Sequence, residues 1–384
     1  MDGPLRGLRV VDLSRLLPGP YATRQLAELG AEVIKVEDPL GGDYARWYPP
    51  LMGEPPASGI FRELNRGKKS VALDLKRPEA QEALRILIGT ADVLVDSFRP
   101  GVLARLGLDP AALMKAHPRL IYCAITGFGL TGPDASRAGH DMTYQAKVGA
   151  LSMGPTAGRP GLGPLQIADL GGALVAVSGI LLALYERERT GVGKVVDTAL
   201  SESALAFASV YFGKDLAGEA PRRGEEMLDG SRPSYTLYDT ADGRWLAVAP
   251  LEPKFWSAFL KVVELPHLAH ASMDGGAQGE AVKAEIQARL RTRTAAEWAE
   301  AFEGVEACVE VVQDIAEARR DPHLMARGAF RPDGTCRSPI RVGSFAELAA
   351  APEALGESPG LGEHTEAVLR AAGVPDALVA SLAG

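Results

Sequence analysis

"LRVVDLSRLLPGPYATRQLAELGAEVIKV", residues 8 to 36, carries the first decision about the fold. "LRVVDL" (8–13) is a short apolar run, "YATRQLAELG" (21–30) has helical spacing closed by Gly30, and "EVIKV" (32–36) is apolar again. Strand, helix and strand in quick succession make a βαβ unit. The alternation continues through "VALDL" (71–75), the helix "PEAQEALRILIG" (78–89), "DVLVD" (92–96) and "LIYCAI" (120–125). Pro78 opens that helix and Gly89 ends it, the usual asymmetry of helix termini. The series predicts an α/β fold with a Rossmann-like, largely parallel sheet covered on both faces.

At 384 residues the chain exceeds one ordinary core. The polar stretch "AGEAPRRGEEMLDGSRP" (217–233) marks a boundary. Beyond it, "SYTLYDTADGRWLAVAPL" reads as a hairpin around Asp242-Gly243, followed by amphipathic helices near 253–263, 280–292 and 295–305. The expected organisation is a large Rossmann-like domain over 1–216, a small α+β domain over 217–330, and a segment over 331–384 returning to the first domain. A Gly/Pro-rich loop is expected over 154–164.

The net charge of −8 argues against nucleic acid as the main partner, while leaving room for a local basic patch. Cys123, Cys308 and Cys336 are too widely spaced for a disulfide framework or a zinc site, and fit a reducing, cytoplasmic setting. The start "MDGPLRGLRVVDLS" does not read as a secretory leader. The longest apolar run, Leu170 to Tyr185, is followed at once by "ERER" and reads as a buried core helix rather than a membrane span.

The first βα junction, "DLSRLLPGPYAT", lacks G-x-G-x-x-G, so a dinucleotide-binding reading does not stand. Basic residues instead gather around strand ends: "NRGKKS" (65–70) and "DLK" (74–76) flank one strand, and "SFRPG" (97–101) with Arg105 follows the next. Strand C-terminal ends form the usual ligand crevice of such sheets, so the group points to a phosphorylated ligand. Asp169, in "QIADLGGAL", has the position of a helix N-cap, yet a carboxylate there can also face a ligand. Glu252 precedes Pro253 at another helix start. His140, one of only six histidines, stands in "AGHDMTYQAKVGAL" (138–151) as either a packed residue or a base.

These stretches, with "LIYCAITGFGLTGP", "DLGGALVAVSGILLALYERERTGVGKVVDTAL" and "GEHTEAVL", resemble CoA-transferase family III, the CaiB/BaiF family, over most of the chain. The resemblance implies two subunits interlocked as a homodimer and an acyl-CoA ligand, with no metal or redox cofactor. Two chemistries share the family. In the transferases an aspartate matching Asp169 attacks the thioester. In the α-methylacyl-CoA racemases that aspartate and a histidine in a G-H-D motif exchange the proton on the α-carbon. "GHDMTY" is similar to the racemase form, and "LEPKF" to the racemase motif whose Glu252 pairs with the histidine. The resemblance places CoA against Leu73, Asp74, Leu75, Lys76, Ser97, Phe98, Arg99 and Arg105, and against Gly139, Asp141, Met142, Thr143 and Tyr144. Asp38 stands where racemases carry arginine, and "ACVEVVQ" (307–313) departs from their pattern. A transferase acting through Asp169, and an idle acyl-CoA-binding protein, are the alternatives.

Overall fold

The computed structural model describes residues 3–54, 56–153, 160–350 and 355–382. The chain divides into two compact units. The first comprises Met1–Val148, Gln166–Ala206 and Pro322–Gly384; the second comprises Gly149–Leu165 and Phe207–Asp321. These limits fall about ten residues before the boundaries read from the sequence, and 149–165 groups with the second unit. Of the loop expected over 154–164, residues 154–159 lie outside the described residues.

In the first unit, β1 (Arg9–Asp12), β2 (Glu32–Glu37), β3 (Lys69–Ala72), β4 (Val93–Asp96), β5 (Ile121–Thr126) and β6 (Val195–Ala199) form one sheet. Its order is β3-β2-β1-β4-β5-β6, parallel throughout, with Val10 opposite Val33 on one side and Val93 on the other. The strands read as unbroken apolar runs because both faces are covered. On one face Val10, Val93 and Ile121 pack with Leu26, Val177 and Ile180; on the other Val11, Ile34 and Leu94 pack with Leu84, Val368 and Leu369. The strand order reverses between β1 and β4, and there the following loops diverge and open a crevice.

Three local features position that crevice. β3 stops at Ala72 rather than Leu75, because Asp74 turns the chain: its side chain accepts the Lys76 N–H (3.0 Å) and its carbonyl the Arg77 N–H (2.9 Å). The helix Pro18–Glu28 starts close under β1, and a Cβ on Gly19 would overlap the Ser14 side chain. The third is the helix Ile167–Thr190, whose 24 residues run well beyond the apolar stretch that marks it. It is long and apolar enough to cross a membrane, yet half of its apolar window is buried within the fold. Ala173, Val177 and Ile180 belong to the core, while Val175, Leu182 and Tyr185 are exposed.

The C-terminal segment returns to this unit. The His364 N–H donates to the Ser70 carbonyl (2.9 Å), the Ala72 N–H to Thr365 Oγ1 (2.9 Å), and Arg331 pairs with Glu28 (2.6 Å).

The second unit has a three-stranded antiparallel sheet, with Thr236–Asp239 and Val309–Val311 flanking Trp245–Val248. Its hairpin turns at Gly243, whose φ of 74° is the left-handed conformation that glycine adopts freely. Helices Pro253–Val263, Gly276–Leu290 and Ala295–Phe302 supply Trp256, Phe259, Ile286 and Trp298 to a separate core.

Candidate active site

His140 caps the helix Asp141–Lys147 in an extended conformation. Its backbone N–H donates to Thr143 Oγ1 (3.0 Å), and its carbonyl accepts the Thr143 N–H (2.8 Å), so the chain direction at His140 is fixed while the residue stays exposed. Gly139 is required just before it, since a Cβ there would run into the Tyr144 ring.

Asp141 does something that its neighbours in sequence do not foretell. One carboxylate oxygen accepts the N–H groups of Ala168 (2.8 Å) and Asp169 (3.1 Å), and the other accepts Gln145 Nε2 (2.5 Å). It thus caps the helix Ile167–Thr190 from outside. Asp169 is therefore not the cap; it lies in the first turn, after Gln166. A helix start favours an anion, and Asp141 already occupies that position. Asp169 meets the opposite situation: burial pushes its carboxyl up, the Asp141 charge pushes further, and its pKa reaches about 7.

The Ala168 and Asp169 amides at the start of this helix are spent on Asp141 and so are not open to an oxyanion. The N–H groups of Asp141 and Met142, beside His140, make no hydrogen bond among the described residues. Tyr144 is raised to about 12, first by burial and then by the Asp169 charge, with Arg99 opposing. Its ring sits edge-on to Phe128 at 5.3 Å.

A cleft opens at the ends of β1, β2, β3 and β4, lined by Leu13, Arg15, Glu37, Asp38, Leu73, Asp74, Leu75, Lys76 and Phe98. Ser97 reaches back to β1, its hydroxyl accepting the Arg15 N–H (3.3 Å). Arg99 lines a neighbouring hollow with Asp96, Met114 and Tyr122. Burial raises Asp96 to about 6, against hydrogen bonds from the Phe98 N–H and the Tyr122 hydroxyl.

The sequence matches CoA-transferase family III over residues 5–365. The chain belongs to CoA-transferase family III.

Family III relatives carry more than one activity in their names. An alpha-methylacyl-CoA racemase of Mus musculus is 38% identical over 371 residues, covering 95% of this chain and 92% of that protein. An acetyl-CoA:oxalate CoA-transferase of Acetobacter aceti is 32% identical over 388 residues, covering 98% and 97% respectively. A CaiB/BaiF family protein from Brucella suis superposes with a TM-score of 0.83 at 32% identity, covering 97% of this chain and all of that one.

Within this family III fold, the expected basic groups separate into two kinds. Lys68 is fully buried and held by Thr23 Oγ1 (2.8 Å), Asn65 Oδ1 (2.9 Å), the Pro20 carbonyl (3.1 Å) and Asp12 (3.3 Å). Desolvation lowers its pKa to about 8 despite Asp12. Arg66 pairs with Asp333 and Lys69 with Glu32, so "NRGKKS" braces the fold rather than meeting a ligand. Lys76, Arg99 and Arg105 are exposed and have no carboxylate within ion-pair distance among the described residues. Met142 and Thr143 are exposed on the short helix after His140. Glu252 belongs to the second unit, exposed at the start of Pro253–Val263, and its side chain does not cap that helix. Sequence reading missed the capping role of Asp141, which bridges two distant helices, and missed Arg15. The second was findable, because Arg15 lies in the turn just after β1, at the reversal of the sheet.

Proposed function

We propose that the protein is an α-methylacyl-CoA racemase, exchanging the proton on the α-carbon of a 2-methylacyl-CoA through an enolate thioester. The carrying observation is the Asp141 carboxylate: it adjoins His140 in the chain, bonds the Asp169 amide, and helps lift Asp169 to about 7. A carboxyl titrating near neutrality is suited to accept a proton in one direction and return it in the other. His140 takes the α-proton from one face, and Asp169 delivers one to the opposite face; the reverse reaction exchanges the roles. The free N–H groups of Asp141 and Met142 are the donors for the enolate oxygen. The reaction needs no cofactor beyond the CoA of the substrate itself.

CoA transfer is the second reading, favoured by transferases among the relatives at comparable identity. There Asp169 attacks the thioester carbonyl and forms an acyl anhydride. His140→Ala separates the two: racemisation falls by at least about 100-fold, the usual scale of a lost general base, whereas transfer survives. Retained racemisation in His140→Ala contradicts the proposal.

We infer a homodimer as the working assembly. Val175, Leu182 and Tyr185 form an exposed apolar stripe on one helix of the first unit, and Phe207, Val210, Phe212 and Leu216 lie exposed in the second. Large apolar side chains left exposed in groups on a helix are characteristic of a protein interface.

A further inference from the structure

Arg15 emerges from β1 at the reversal point of the sheet, and the backbone on either side of it is pinned. The Ser14 carbonyl accepts Lys35 Nζ (2.8 Å), which is ion-paired with Asp43 (2.9 Å); both groups of the pair are fully buried. Asp43 in turn accepts the Leu16 N–H with both oxygens (3.0 and 3.1 Å), and Ser97 accepts the Arg15 N–H (3.3 Å). Leu16 is held at a φ of +64°, a left-handed conformation that a leucine adopts only when its surroundings over-determine it. The strain sits beside a ligand crevice, where such strain is usually put to use.

The Arg15 guanidinium then lies against two aromatic rings, 5.3 Å from the Phe98 centroid and 5.8 Å from the Tyr44 centroid. Every carboxylate of the cleft already has a partner. Glu37 is taken by Arg46 (2.7 Å) and Ser70 (2.7 Å), Asp38 by the Leu40 N–H (2.9 Å), and Asp74 by the Lys76 N–H (3.0 Å). Among the described residues Arg15 has no carboxylate within ion-pair distance. A stacked, pre-oriented and unpaired guanidinium is the arrangement that receives a phosphate. Lys68 and Arg46 cannot take this part, because both are buried and committed to internal partners.

We propose that Arg15 receives a phosphate of the ligand's nucleotide end, and so makes the protein select full CoA thioesters over phosphate-free ones. The proposal rests on the acyl-CoA reading above. The test is calorimetric titration of the full-length protein, Arg15→Gln and Arg15→Lys with CoA, 3′-dephospho-CoA and acyl-pantetheine. Arg15→Gln should weaken CoA binding about 10- to 100-fold, the scale of one charge-assisted hydrogen-bonded contact, and leave acyl-pantetheine unchanged. Arg15→Lys should recover part of the loss, keeping the charge but not the planar fork. A penalty that disappears with dephospho-CoA identifies the ribose phosphate; one that persists identifies the diphosphate; either supports the proposal. An equal loss with acyl-pantetheine, or no loss with CoA, overturns it. Failure of the unaltered protein to bind CoA at all would overturn the acyl-CoA reading instead.

Discussion

Asp141 joins two jobs in one side chain, and they can be taken apart. It caps a helix through hydrogen bonds that asparagine can also accept, and it raises Asp169 through a charge that asparagine lacks. Asp141→Asn should therefore lower the Asp169 pKa, shifting the corresponding limb of the pH–rate profile toward acid, with little change in melting temperature. Asp141→Ala should also lose about 1 kcal/mol of stability, the usual cost of deleting a helix cap. An unmoved pH–rate profile in Asp141→Asn would contradict this. Asp169 itself has a stability signature. Below its unfolded pKa it is protonated in both states and contributes no pH dependence. As pH rises toward 7 the unfolded chain releases this proton while the folded chain retains it, so stability is lost across that window. Asp169→Asn should accordingly raise the melting temperature at pH 8 relative to unaltered protein, and do so far less at pH 4. Equal shifts at both values would show that burial and the neighbouring charge do not act as described.

At the scale of elements, the helix Pro18–Glu28 depends on Gly19, because its first turn passes so close to Ser14 that a Cβ has no room. Gly19→Ala should cost about 1–3 kcal/mol, as overpacked sites do, measured by denaturant unfolding. A smaller change would mean that the loop relaxes freely. On the stripe of Val175, Leu182 and Tyr185, Leu182→Glu should convert the proposed dimer to monomer in sedimentation without unfolding it, because Leu182 is exposed within the single chain. The parallel strands and most helices were legible from apolar runs and their Pro and Gly boundaries. What was not legible arose from contacts distant in sequence. "NRGKKS" looks like a ligand cluster because local sequence cannot reveal that Lys68 meets Asp12, or Arg66 Asp333. Asp169 looks like a cap because nothing near it discloses Asp141.

Across the whole molecule, the chain closes its larger core with its own end. Val368, Leu369 and Val379 complete the face of the sheet against Val71 and Leu84, and Arg331 joins Glu28 beneath the first helix. Truncation after Asp321 should abolish cooperative unfolding of the first unit, followed by near-ultraviolet circular dichroism; a native-like transition would contradict the packing described. The return of the C-terminal segment was expected, but its anchoring through Ser70, Ala72 and Glu28 required the fold. Asp38 stands where the family resemblance implies arginine, and Arg15, after the neighbouring strand β1, is placed to supply the missing cation. Racemisation is tested most directly at the α-proton, by incubating the protein with a (2R)-2-methylacyl-CoA in deuterated water and following that proton by NMR. The α-proton should exchange only when both His140 and Asp169 are present, and the 2S form should accumulate with it. No exchange, with CoA turnover appearing once a free carboxylic acid is added, would contradict it and leave Asp169 as the nucleophile of a transferase.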